Sequence, residues 1–204
     1  MTDHKHQPLG AFMDLLSAEV RSRMGNEPAR EAAHQRIFGN TALEAPQASG
    51  ERPQRQPACR HLPACFAELE TIGGNLGKLA AALREIEPHL SWNNQSERRK
   101  SAVLAENYAD SFIVGPGGFV PSGQIEIGVS VMAPHTTYPD HRHPPEELYL
   151  VLSQGEWRQN AEAWHEPGVG GVVYNPPDIV HAMRADAKPL FAIWCLPLDN
   201  TPHS

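Results

Sequence analysis

Two different hydrophobic patterns divide the chain. In the first part, apolar residues recur every three or four positions, which is typical of helices with one buried face. The clearest such stripe contains Leu9, Phe12, Met13, Leu16, Val20 and Met24. A second helix is predicted from Pro28 to Phe38, with Pro at an early helical position, and helical spacing returns over 63–90. Gly73 and Gly74 are predicted to separate two helices there, because consecutive glycines weaken a helix interior.

After Tyr108 the pattern changes from a helical period to an alternating one. Strict alternation of apolar residues indicates a strand with one buried face, and it is found at Ile125, Ile127, Val129 and Val131. Short apolar runs bounded by Pro, Gly, Asn or Asp predict further strands at 111–114, 147–152, 171–174, 180–183 and 190–196. Several short strands separated by turn residues indicate a small barrel or sandwich. We therefore expect a helical N-terminal region over 1–108 and a β-barrel over 109–200.

Composition narrows the class of protein. Residues 41–57 are rich in Pro, Gln, Glu, Arg and Ser without periodicity, so a flexible linker is expected around them. The formal net charge of −7 argues against nucleic-acid binding, which needs clustered Lys and Arg. No segment has the roughly 20 apolar residues of a membrane span, and no secretory signal pattern is found. We expect a cytoplasmic protein with a small-molecule partner, and the sequence is compatible with a homodimer.

The candidate chemistry lies in the segment HRHPPEELY at 141–149. His141 and His143 are two residues apart, so on an extended chain both imidazoles project from one face. Glu147 and Tyr149 share a face of the next strand for the same reason, and the intervening prolines require a turn between the two pairs. Imidazole and carboxylate donors that point into one barrel suit a divalent transition metal. His181, which follows a Pro-rich turn, is the candidate fourth ligand from a distant strand.

This segment resembles the first motif of the cupin superfamily, in which HxH is followed after three residues by Glu. The second cupin motif is represented by Gly170, Pro176, Asp178 and His181. Asp178 stands where the family usually has Gly, and Gly155 falls one position late. The resemblance covers residues 110–197 and implies a mainly β protein, a cupin (double-stranded β-helix or jelly-roll) barrel preceded by helices. It also implies one metal ion held by His141, His143, Glu147 and His181.

A narrower resemblance is carried by the segment PPEELYL at 144–150, by Tyr138 and by the segment GEW at 155–157. These features are similar to the cupin-type dimethylsulfoniopropionate lyases, which also have helices before the barrel. The resemblance implies a carbon–sulfur lyase that cleaves dimethylsulfoniopropionate by β-elimination to dimethyl sulfide and acrylate. It further implies that Tyr149 is the catalytic base and that Tyr138 is a second tyrosine beside the substrate.

The implied reaction is consistent with the chemistry of these residues. A metal bound to the substrate carboxylate stabilises enolate-like charge as the α-proton leaves, and a nearby cation lowers the pKa of a tyrosine. Aromatic faces attract the sulfonium cation, and Tyr138, Trp194 and Tyr174 are candidate walls of its site. Imidazole and carboxylate ligands suit several metals, so Fe²⁺, Mn²⁺ and Zn²⁺ are all candidate cofactors.

Two other functions fit the same barrel and metal ligands. A cupin Fe(II)-dependent dioxygenase acting on a small organic acid needs open coordination positions, which a four-ligand site leaves. A non-catalytic cupin would instead bind a small anion. Tyr149 beside Glu147 distinguishes these functions from a lyase, because elimination needs a base and oxygen insertion does not.

Overall fold

The N-terminal region is helical, as the spacing of its apolar residues predicts. A computed structural model describes residues 6–39, 43–46, 54–93 and 101–198. The helices are α1 (His6–Arg23), α2 (Pro28–Phe38), α3 (Leu62–Ile72), α4 (Gly74–Ile86) and α5 (Ala102–Asn107), with 3-10 turns at Pro57–His61 and Glu87–His89. The predicted bounds of α2 match, and α3 and α4 are separated at Gly73, whose φ is 69°. Most of the expected linker at 41–57 lies outside the described residues.

The C-terminal half consists of antiparallel strands. They are β1 (Tyr108–Val114), β2 (Ile125–Met132), β3 (Thr137–His141), β4 (Glu147–Val151), β5 (Glu156–Gln159), β6 (Val172–Asn175), β7 (His181–Arg184) and β8 (Leu190–Pro197). They form a five-stranded sheet in the order β1-β2-β8-β4-β6 and a three-stranded sheet in the order β3-β7-β5. Two antiparallel sheets arranged in this way form a jelly-roll barrel. The prediction of a mainly β cupin fold with a helical N-terminal region is therefore confirmed.

The helices cover the outer face of the five-stranded sheet. The alternating residues Ile125, Ile127, Val129 and Val131 of β2 belong to the same hydrophobic core as the apolar stripe of α1. Phe12, Leu16 and Val20 of that stripe are completely buried. Because alternate residues of a strand point to opposite faces, the positions between the outer ones face the interior of the barrel. The helical layer and the barrel thus share one continuous core, which leaves the inner face of the sheet free to form a site.

No helix among the described residues is both long enough and apolar enough to cross a lipid bilayer.

Candidate metal centre and substrate cavity

A cavity of about 400 Å³ lies inside the barrel. Its lining residues come from several strands of both sheets and from the loop after β3. They are Tyr108, Asp110, Phe112, Glu126, Tyr138, His141, Arg142, His143, Glu147, Tyr149, Met183, Trp194 and Leu196. The lining therefore brings together three of the four predicted metal ligands, both predicted tyrosines and Trp194. The fourth predicted ligand, His181, is buried directly behind His141, with a distance of 3.9 Å between the two ring centroids.

Three histidines converge at one end of this cavity. His141 is the last residue of β3 and is paired in the sheet with His181, the first residue of β7. His143 lies in the loop after β3, whose position is fixed by a backbone hydrogen bond from the Asp178 N–H to the His143 carbonyl. Asp178 has a φ of 57°, which explains why a glycine is common there, and Asp tolerates this conformation better than most residues. The three imidazoles each offer a nitrogen within 4.8 Å of the other two.

Backbone carbonyl groups fix the orientation of all three imidazole rings. Each histidine has its Nδ1 within hydrogen-bond distance of a carbonyl oxygen two residues away in the chain. The acceptors are Pro139 at 3.0 Å from His141, Pro145 at 2.8 Å from His143 and Ile179 at 3.0 Å from His181. Nδ1 donates in this arrangement, so the lone pair of Nε2 is directed at the centre of the cluster. His181 Nε2 is buried and makes no hydrogen bond of normal geometry, which fits a nitrogen that binds a metal ion.

Glu147 adds a carboxylate to the histidine cluster. Its Oε2 lies 3.3 Å from His181 Nε2 and 3.6 Å from His143 Nε2. Burial raises the pKa of Glu147, but the neighbouring His143 and His181 imidazoles outweigh burial and hold that pKa far below its usual range. Conversely, burial lowers the pKa of His143, but the Glu147 carboxylate outweighs burial and leaves that pKa raised. Glu147 is therefore an anion and can serve as an oxygen donor beside the three imidazoles.

A buried amide holds the Glu147 carboxylate in place. Asn175, which is paired with Glu147 across β4 and β6, donates from Nδ2 to Glu147 Oε2 at 2.9 Å. Gln159 of β5 in turn donates from Nε2 to Asn175 Oδ1 at 2.7 Å. Only 1% of the Asn175 surface is exposed, so water cannot replace this hydrogen bond. The sequence analysis did not identify either amide, because β5 was not predicted from the hydrophobic pattern and the strand predicted at 171–174 ended one residue before Asn175.

Tyr149 is the next inward-facing residue of β4 after Glu147 and is buried. Burial, followed by the nearby Glu147 carboxylate, raises the pKa of Tyr149 well above its ordinary value of 10. A cation held by the histidines would act in the opposite direction, because it favours the phenolate. Tyr138 lies between the histidines and a further tyrosine, with its ring centroid 4.8 Å from His141 and 4.6 Å from Tyr108. Both predicted tyrosines thus line the cavity beside the predicted metal ligands.

A further part of the cavity wall comes from β1, which the sequence analysis did not connect with the site. Tyr108, Asp110 and Phe112 alternate along β1 and all line the cavity. The Tyr108 hydroxyl lies 3.0 Å from Ser130 Oγ, which also accepts a hydrogen bond from Trp194 Nε1 at 3.0 Å. The two-residue spacing of Tyr108, Asp110 and Phe112 could have indicated that they share one face of a strand. Only 111–114 was predicted as a strand, however, so the first half of β1 was overlooked.

Tyr174 does not line the cavity, in contrast to the expectation that it forms a wall of the sulfonium site. Residues of β6 alternate between the two faces of the sheet, and Tyr174 points to the helical layer. Its hydroxyl donates to Glu146 Oε2 at 2.8 Å. Glu146 also receives hydrogen bonds from Arg36 of α2. Tyr174 is therefore part of a polar contact between the barrel and the helices.

The barrel and its histidine cluster define a cupin with a site able to bind a metal ion. The family model for dimethylsulfoniopropionate lyase matches residues 29–192, and the chain belongs to that family. The chain is 32% identical over 160 residues to a Cereibacter sphaeroides protein described as the dimethylsulfoniopropionate lyase DddL. It is 29% identical over 107 residues to the dimethylsulfoniopropionate lyase DddQ of Ruegeria pomeroyi. These matches cover 77% and 51% of this chain.

The chain spans 66% of the DddL sequence and 53% of the DddQ sequence in these matches. Similarity to solved structures extends over more of the chain. The crystal structure of DddQ from Ruegeria pomeroyi superposes with a TM-score of 0.64 at 24% identity, and the match covers 95% of this chain and 94% of that one. A match of this extent includes the N-terminal helices, and it supports the fold of the residues that the structure describes.

Proposed function

We propose that the protein is a metal-dependent lyase that cleaves dimethylsulfoniopropionate by β-elimination to dimethyl sulfide and acrylate. The observation that carries the proposal is the position of Tyr149, two residues after Glu147 on one strand and facing the same cavity. Membership of the dimethylsulfoniopropionate lyase family supports it. A dioxygenase or a simple anion-binding cupin has no need of a buried tyrosine at this position.

The proposed metal ligands are the three imidazoles and one carboxylate at the end of the cavity. They are His141, His143, Glu147 and His181. This donor set suits one divalent transition metal, with Fe²⁺, Mn²⁺ and Zn²⁺ as the candidates. When bound, the metal supplies a Lewis acid for the substrate carboxylate and for the negative charge that develops at the α-carbon.

Tyr149 is the proposed base in the elimination. Its phenolate oxygen takes the α-proton, and the electron pair of that C–H bond forms the double bond of acrylate. The bond between the β-carbon and sulfur breaks, and its electron pair leaves with neutral dimethyl sulfide. Tyr149 then releases the proton to solvent, which restores the phenolate. Burial and the Glu147 carboxylate raise the pKa of Tyr149, so a metal ion held by the three histidines and Glu147 would supply the positive charge that favours the phenolate.

Two further aromatic residues are proposed to position the substrate. Tyr138 lies beside His141 and is placed to orient the bound carboxylate. Trp194 is the cross-strand neighbour of Tyr149, and its indole N–H is held by Ser130. The indole therefore cannot rotate freely, and it presents aromatic surface to the cavity, which attracts a sulfonium cation.

The proposal is tested by incubating metal-loaded protein with dimethylsulfoniopropionate and measuring headspace dimethyl sulfide and acrylate together. The two products should form in equal amounts. Tyr149→Phe keeps the ring but removes the base, so turnover should fall by a factor of about 10² or more at unchanged metal content. Tyr138→Phe is the matched control and should mainly raise KM. Near-parental turnover by Tyr149→Phe would rule out this base, and oxygen consumption without dimethyl sulfide would favour the dioxygenase.

A further inference from the structure

The inner face of the five-stranded sheet carries its side chains in rows that run across the strands. One row, given by the strand register, contains Tyr149, Trp194, Gly128 and Phe112. The next row on the same face contains Val151, Ala192, Ser130 and Asp110. Consecutive rows are about 7 Å apart, because each strand residue rises about 3.4 Å. Moving away from the metal ligand Glu147, the row of Tyr149 comes first and the row of Asp110 comes second.

Asp110 is a carboxylate in an aromatic part of the cavity. Only 6% of its surface is exposed, and it lines the same cavity as the metal ligands. The Tyr108 hydroxyl lies 3.4 Å from Asp110 Oδ2. This position combines a negative charge with the aromatic rings of Tyr108 and Phe112.

We propose that Asp110 is the counter-ion for the cationic end of the substrate and determines specificity for a cation. This inference rests on the proposed function, because the substrate carboxylate at the metal ligands sets the direction in which the molecule extends. Asp110 lies beyond Tyr149 on the side away from Glu147, which is the direction in which the sulfonium end of a substrate bound by its carboxylate extends. A sulfonium group has no N–H or O–H to donate, so negative charge and aromatic faces are the means of recognising it.

The charge at Asp110 should act on substrate binding more than on the chemical step. The substrate is positive at sulfur, whereas dimethyl sulfide is neutral, so the attraction to Asp110 weakens as the C–S bond breaks. An interaction that is stronger in the bound substrate than in the transition state does not accelerate the reaction. Asp110→Asn should therefore raise KM for dimethylsulfoniopropionate while kcat is maintained or increased. If Asp110 instead had a general structural role, Asp110→Asn would lower kcat as well.

A direct test uses two carboxylates of the same shape that differ by one charge. They are 3-(trimethylammonio)propionate and 4,4-dimethylpentanoate, and neither has a polar hydrogen at the bulky end. Calorimetry on metal-loaded parent protein should show tighter binding of the cationic probe by about tenfold or more. In Asp110→Asn that preference should fall below about threefold, with the affinity for 4,4-dimethylpentanoate unchanged. The unchanged affinity shows that the metal site and the cavity are intact.

Two further variants make the result specific to this carboxylate. Asp110→Glu retains the charge and should retain the cation preference. Glu126→Gln removes another carboxylate of the cavity lining, one paired with Leu196 at the Glu147 end of the sheet. This variant should also retain the cation preference.

Equal affinity of the parent for both probes, or an undiminished preference in Asp110→Asn, would overturn the role of Asp110. In that case, release of dimethyl sulfide by the parent protein would show that the lyase function is correct although the role of Asp110 is not. Conversely, a cation preference that depends on Asp110 without any dimethyl sulfide release would support the counter-ion and overturn the lyase.

Discussion

The two faces of the five-stranded sheet have very different chemistry, although they are built from the same strands. On β8, Ile193 packs under the helical layer, whereas its neighbour Trp194 faces the cavity. On β2, Val129 is in the outer core, whereas Ser130 binds two aromatic side chains inside the barrel. The outer face depends on apolar area, which many residues can supply, but the inner face depends on individual hydrogen bonds. Substitutions on the outer face should therefore change stability, and those on the inner face should change metal or substrate binding.

The largest effect is expected from removing α1 and α2 from the helical layer. Deleting residues 1–39 would expose the outer face of the sheet and remove the completely buried Phe12, Leu16 and Val20. Because buried apolar area is the main source of stability, the truncated protein should aggregate, as size-exclusion chromatography would show. Leu16→Asp should reproduce much of this loss, whereas Ala18→Asp on the exposed side of α1 should not. A truncated protein that is soluble, monodisperse and fully active would show that the sheet does not need this cover.

The next effect concerns the amide that holds Glu147. Asn175→Ala removes the hydrogen bond to Glu147 Oε2 and should weaken metal binding by a factor of about 10 to 100. Titration with a competing chelator measures this affinity directly. Gln159→Ala should have a smaller effect, since Gln159 contacts Asn175 and not the carboxylate itself. Unchanged metal affinity in Asn175→Ala would exclude a positioning role for this amide.

Much of the outer architecture could be predicted from the sequence. The alternation of Ile125, Ile127, Val129 and Val131, the bounds of α2 and the break at Gly73 all reflect local physical preferences that one segment expresses alone. The proposed metal ligands were also identifiable from the spacing of the histidines and Glu147, although His143 lies in the loop after β3 and not on a strand. Periodicity works well wherever a segment has one apolar face and one polar face.

The rest of the site depends on contacts between segments that are distant in the sequence. Asp110 of β1 and Asn175 of β6 lie on opposite edge strands of one sheet. Only the strand order and register show that Asp110 lines the cavity and that Asn175 holds Glu147 of β4. β3 and β5 were not predicted, because they are short strands whose exposed and polar residues hide the alternation. Tyr174 was predicted on the wrong side of the barrel because aromatic identity does not indicate which face a residue occupies.

A single methyl group added to the inner face tests whether that face controls substrate binding. Gly128 lies on the inner face of the sheet between Phe112 and Trp194, and a β-carbon there would lie 2.1 Å from Cζ2 of the indole. Gly128→Ala should therefore displace Trp194 and lower kcat/KM by about tenfold, as expected for a misplaced binding group. Tryptophan fluorescence should shift in parallel. Gly123→Ala is the matched control, because a β-carbon at Gly123 meets no atom within 4 Å. Parental kcat/KM in Gly128→Ala would show that the position of the indole is not important.

The smallest effect is expected from Arg36, which joins the outer side of the sheet to α2. Its Nε donates to Glu146 Oε1 at 2.7 Å, and only 5% of the Glu146 side chain is exposed. Arg36→Gln leaves this buried carboxylate with the hydrogen bond from Tyr174, so the free energy of unfolding should fall by about 1–3 kcal/mol.

Arg21 provides the comparison for this last substitution, because it forms an ion pair with Glu31 in which both side chains are more exposed, at 53% and 43%. Arg21→Gln should change the free energy of unfolding by less than about 1 kcal/mol, since water screens such a pair. Urea unfolding of the two variants measures the difference. Glu146 is adjacent to Glu147 in the chain, but its side chain is on the opposite face of the sheet. Metal affinity and kcat should therefore be unchanged in Arg36→Gln, and a loss of either would mean that the two faces are coupled through β4.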